Sequence, residues 1–114
     1  MIRKVKKEIS SANILNVTVE HNGFQGGDTG HGGFVKITLE DHGSTDMRCK
    51  VKSDVEECDY QDVESIELFF GGDTERATLT EALEIILTEL KNNENLLDSN
   101  HVITVDLTEK WEKQ

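Results

Sequence analysis

Residues 13–40, NILNVTVEHNGFQGGDTGHGGFVKITLE, decide how this chain folds. Before the glycine-dense middle, Leu15, Val17 and Val19 alternate with Asn16, Thr18 and Glu20; after it, Val35, Ile37 and Leu39 alternate with Lys36, Thr38 and Glu40. A period of two puts successive side chains on opposite faces, so 13–21 and 34–40 read as half-buried strands. Between them, GFQGGDTGHGG at 23–33 holds six of the nine glycines in the chain. Glycine costs the folded state backbone entropy and is tolerated where the backbone needs positive φ or close approach. So dense a run either strings tight turns together or offers bare amides and short polar side chains to a bound ligand.

Working outward, Asp41-His42-Gly43-Ser44 has turn chemistry, and 46–53 reads as a third strand with Met47, Cys49 and Val51 inward and Arg48, Lys50 and Lys52 outward. The acidic segment 54–62 reads as a loop, and 63–70 as a fourth strand offering Ile66, Leu68 and Phe70 to the core. Basic residues on the third strand would pair with acids on an antiparallel neighbour. Gly71-Gly72-Asp73-Thr74 then repeats Gly26-Gly27-Asp28-Thr29 letter for letter. If strands one and four end at the same sheet edge, the two copies face one crevice. Leu79, Ala82, Leu83, Ile86, Leu87 and Leu90 keep helical spacing without a break, which predicts a long amphipathic helix whose stripe is core. Thr78 and Glu81 form a capping box at its start, and Lys91 with Asn92-Asn93 closes it.

The two ends are less regular. Residues 1–11 are basic, with Ile2, Val5 and Ile9 at three- and four-residue steps, and read as an arm or a helical turn. Within 96–114, residues 102–107 (VITVDL) read as a fifth strand, pairing within the chain or with another subunit, and Trp111 falls in a charged tail. The fold expected is therefore α+β: one domain over 1–114, an antiparallel sheet of four to five strands, with one long amphipathic helix packed on one face.

Charge narrows the partners. Lys+Arg number 12 against Asp+Glu at 23, a net charge of −11, which argues against direct binding to nucleic acid or to anionic membranes. No apolar run approaches the roughly 18 residues of a membrane span, and the N-terminus lacks the apolar core of a secretory signal, so the cytoplasm is the expected compartment. Cys49 and Cys58 have neither CxxC nor Cys/His spacing and are expected as free thiols. A chain this short leaves about a third of its unfolded surface exposed, so a partner subunit would help it.

No catalytic motif is present: no Gly-Lys-Ser/Thr follows the glycine run, no βαβ unit surrounds it, and nothing forms a nucleophile elbow. The candidate ligand-binding set is Phe24, Gln25, Gly26, Gly27, Asp28, Thr29, His31, Gly32, Phe34 and Arg76. Loop amides would meet phosphate oxygens, Asp28 and His31 would meet ribose or base edges, and Phe24 or Phe34 would stack on a base. Arg76, after the second GGDT and ahead of the helix, would grip an anion unless a local acid such as Glu75 takes it. A divalent ion shared by Asp28 and His31 with His21 or His42 is the minor alternative, since no fourth ligand is indicated.

The run GGDTGHGG at 26–33 followed by a strand resembles small phage-encoded proteins of the Thoeris anti-defence sponge type, by element order over 12–92 and by letters in the glycine loop. That resemblance implies an oligomer of antiparallel sheets and helices that sequesters nucleotide immune signals, such as cyclic ADP-ribose variants, without cleaving them, in the host cytoplasm. It carries over to Asp28, His31 and the adjoining glycines; Arg76 is added on physical grounds. Where the resemblance leads one to expect a basic residue after GHGG, this chain has Phe34. The expected function is therefore non-enzymatic sequestration of a small phosphorylated nucleotide by a homo-oligomer that needs no cofactor. The alternative is an acidic protein-interaction module that inhibits or mimics a nucleic-acid partner.

Overall fold

The fold was established from a computed structural model that describes residues 1–96 and 100–109. In chain order the strands are β1 Arg3–Ser10, β2 Ile14–His21, β3 Phe34–Gly43, β4 Arg48–Lys52, β5 Glu57–Asp62 and β6 Ser65–Gly71, followed by the helix α1 Asp73–Asn92. Four strands form one antiparallel sheet in the order β1-β2-β3-β6, and β4 pairs with β5 as a separate two-stranded unit. The class is the α+β expected, and β2 and β3 flank the glycine loop as antiparallel neighbours.

Register explains why the sheet has two unlike faces. Val5 pairs with Val19, Val19 with Ile37 and Ile37 with Leu68; one step on, Lys7, Val17, Leu39 and Ile66 form the next row. These rows make one face apolar. The intervening rows, such as Lys6, Thr18, Thr38 and Glu67, make the other face polar. On the polar face Lys36 reaches Glu20 and Glu67 at 3.8 Å each, and His42 lies 2.6 Å from Glu40 and 3.3 Å from Glu8, tying β1 to β3 across β2.

Several expectations are corrected. The N-terminal arm is an edge strand: Val5, Lys7 and Ile9 also fit a period of two, and the free edge of β2 supplies the ladder that decides between the periods. The acidic loop 54–62 contains β5, whose Lys52–Glu57 and Arg48–Asp62 pairs join unlike charges across the hairpin. Polarity there marks a ladder of ions, with Arg48 Nε 3.5 Å from Asp62. Among the described residues the third strand therefore pairs only within this hairpin, which leaves Val51 exposed. Both cysteines are free thiols on it.

The helix begins five residues before Thr78. Gly72 is its N-cap without any side-chain cap, while Thr78 donates to the carbonyl of Thr74 from inside the helix, so the capping box does not form. Only its first turns meet the sheet, at β6 and β3; Ala82, Leu83, Ile86, Leu87 and Leu90 are exposed in the single chain. The stripe is thus not core within one copy. Residues 102–107 carry no strand, and Trp111 lies outside the described residues.

Acceptor oxygens of Glu40 and then Glu8 raise the His42 pKa above its ordinary 6.5. A raised folded-state value means that His42 stabilises the sheet fully below pH 6.5 and that this contribution is lost as pH rises through the raised value. An NMR titration should place the His42 midpoint above 6.5, and Glu40→Gln should lower it; a midpoint that does not move on that substitution contradicts the assignment.

Candidate functional site

The site is built where the two GGDT copies meet. Asp73, in the second copy, accepts from the amide of Gln25 at 2.9 Å and from that of Gly26 at 2.8 Å, while its own N–H donates to the carbonyl of Gly27 at 2.9 Å. One residue at the helix start therefore both donates to and accepts from the loop between β2 and β3. Gly72 N–H donates to Gly33 O at 2.9 Å, extending the β3–β6 ladder by one step. Gly33, Val35 and Gly72 are the buried residues among those described, so burial among the described residues is deepest at this junction.

Local geometry explains the glycines that matter. Gly72 sits at φ +110, and a Cβ there would stand 3.1 Å from the amide nitrogen of Thr29 and 3.3 Å from the Asp28 carbonyl carbon. At Gly27 a Cβ would come 2.6 Å from His31 Nδ1. The first copy folds into a 3-10 turn, Thr29–His31, with the Asp28 carboxylate accepting from Gly30 N–H at 3.0 Å and lying 3.3 Å from His31 Nδ1. Asn22 closes the base of the loop, donating to Gly32 O at 2.8 Å and accepting from Phe34 N–H at 3.0 Å.

Beside the junction stands a second cluster. The Arg76 guanidinium lies 5.1 Å from the centre of the Phe24 ring and 2.9 Å from His21 Nδ1, which also accepts from Gly23 N–H at 3.2 Å. Arginine can only donate, so Nδ1 is an acceptor here and the neutral ring carries its proton on Nε2. Among the described residues no carboxylate lies within ion-pairing distance of Arg76; Glu75 does not take it. Arg76 is in the first turn of the helix rather than ahead of it.

The structure thus brings together most of the sequence-derived set and divides the rest. Gln25, Gly26 and Gly27 join the Asp73 staple, Thr29 packs against Gly71 and Gly72, and Asp28 and His31 form the exposed outer turn with Gly32 as its left-handed cap. Phe24 joins Arg76. Phe34 instead stacks on Phe69, centroids 6.0 Å apart, on the face of Lys36 and opposite to that of His21. The amides of Gln25 and Gly26 are filled by the protein's own carboxylate, and Gly30, His31 and Gly32 donate within the turn. His42 sits far along β3 with Glu8 and Glu40, and no three His, Cys, Asp or Glu side chains among the described residues are grouped to hold a metal ion.

Sequence reasoning missed Asn22, His21 as the partner of Arg76, and Asp73 as a residue of the loop. Letter-for-letter repetition of GGDT was the available signal for Asp73. Compared with models of known protein families, with curated proteins and with solved structures, the chain matches none. No helix among the described residues is long and apolar enough to cross a membrane.

The amide of Gln25, then those of Gly26 and Gly27, hold the Asp73 carboxyl below its usual range. A depressed folded-state pKa means that this stabilisation is present above pH 3.8 and is lost as pH falls through the lowered value. Asp73→Asn should therefore lower the melting temperature at neutral pH and flatten its acid dependence below pH 4. Gly72→Ala, which must hold positive φ against a backbone neighbour, should cost about 1–3 kcal/mol in denaturant unfolding. An unaffected Gly72→Ala midpoint would show that the two loops are not interlocked.

Proposed function

We propose that this protein binds and sequesters, without chemical change, a small phosphorylated nucleotide at the cluster of Arg76, Phe24 and His21. One observation carries the reading: in a chain with nearly twice as many acids as bases, Arg76 is half-buried beside neutral partners and has no carboxylate paired to it among the described residues. An arginine so placed keeps N–H groups for a ligand oxygen, and its planar fork suits phosphate. Phe24 is 66% exposed, so a base can stack on its ring while Arg76 stays against it.

This refines how the loop would work. Phosphate is assigned to Arg76, because the amides of Gln25 and Gly26 already hold the Asp73 carboxylate. The glycine loop then serves to hold Phe24 against the helix start, and Asp28 and His31, on the exposed turn, would meet ribose hydroxyls or base edges. The resemblance of 26–33 to phage anti-defence sponges suggests the ligand class, a cyclic nucleotide or cyclic ADP-ribose signal met in the host cytoplasm by an oligomer. No specific contact favours a protein-mimicking role over this one.

Calorimetric titration with cyclic nucleotides and ADP-ribose derivatives should find at least one binder, recovered intact by chromatography after heat release. Arg76→Ala should weaken it at least tenfold, the worth of about 1.4 kcal/mol from a charge-assisted contact. Phe24→Ala should weaken it by a similar factor through lost stacking. Silence across the panel, or binding indifferent to Arg76, sinks the proposal.

A further inference from the structure

We infer that the chain pairs with a second copy of itself by laying the apolar stripe of α1 on the apolar face of that copy's sheet, reciprocally. The single copy is far from compact. Its accessible surface is 10060 Å², against about 6,300 Å² for a compact monomer of its mass. Its radius of gyration is 17.4 Å, against about 13 Å for a compact domain of this length. The excess surface is ample for a stable interface, which removes roughly 1,200–2,000 Å² in total.

Two of the exposed apolar surfaces have matching chemistry. On α1, Leu83, Ile86, Leu87 and Leu90 are 45% to 68% exposed along one stripe. On the sheet, Val5, Ile9 and Leu68 are 45% to 47% exposed, on the face that also carries Val17, Val19, Ile37 and Leu39. Neither covers the other within one chain, since only the first turns of α1 reach the sheet. The C-terminal segment does not cover the stripe either: Ile103, Val105 and Leu107 share a groove with Glu84, Ile85 and Thr88, on the opposite side of the helix.

Charge selects helix-on-sheet over helix-on-helix. The α1 span carries five acids against two bases, whereas β1, with Arg3 and Lys7 on the apolar face, carries four bases against one acid. Two α1 helices would set like charge against like in a chain already at −11; α1 on β1 sets elements of unlike net charge together. Such a reciprocal contact is two-fold and closes on itself. It holds whether or not the Arg76 site takes a nucleotide.

Light scattering on the purified full chain at micromolar concentration should give a mass at least twice 12.8 kDa. Leu83→Glu with Leu87→Glu should reduce it to one chain, and so should Val5→Glu from the sheet side. A wild-type mass of one chain, or an unchanged mass in both variants, overturns the inference. Because a variant can lose mass by unfolding, zero-length carbodiimide coupling is applied to wild type mixed from isotope-light and isotope-heavy copies. Inter-copy links between β1 of one copy and α1 of the other support the contact; inter-copy links confined to α1 on both sides overturn it.

Discussion

A single carboxylate organises the end of this sheet. Asp73 accepts from two amides of the glycine loop and returns its own N–H to that loop, so the β2–β3 connection and the start of α1 are held as one piece. Charge-assisted hydrogen bonds to backbone amides are stronger than neutral ones, and here they also satisfy donors that a loop of this composition would leave open. The glycines follow from that closeness. Side chains at Gly71 or Gly72 would strike Thr29, so the second GGDT admits the first only because its Cβ atoms are missing.

The same staple redistributes the electrostatics. A nest of amides is an anion site, and in this chain the anion is internal. Arg76, one turn into the helix, is left with a neutral imidazole and an aromatic ring. A cation held in that company gains less than it would from a carboxylate, which is the physical basis for the proposal that it serves a ligand. Asn22 and His21, at the end of β2, fix where the loop leaves the sheet and where the guanidinium rests.

Away from the junction the chain is poorly buried. The sheet has one solvated face stitched by Lys36 and His42 ion pairs and one apolar face with little on it. Exposed ion pairs add little, so burial of the apolar face has to supply most of the stability. Helical order in α1 beyond its first turns likewise depends on packing that one copy does not provide. The proposed self-association answers both needs with one contact.

Sequence by itself determined the class and the pieces that depend on local pattern. Alternation in 15–19 and 35–39 placed β2 and β3, unbroken helical spacing placed α1, and glycine density marked the loop between them, because backbone geometry imposes those periods. The repeated GGDT hinted at the meeting of the two loops. Tertiary structure alone decided the rest. Residues 3–10 became a strand because β2 offered an edge, and 57–62 because unlike charges faced each other across a hairpin. Asp73 became a loop partner, and Phe34 went to the face opposite Arg76, through pairings between residues far apart in the chain. Local letters carry no record of such pairings, since they are set by which edges and charges the folded chain brings within a few ångströms.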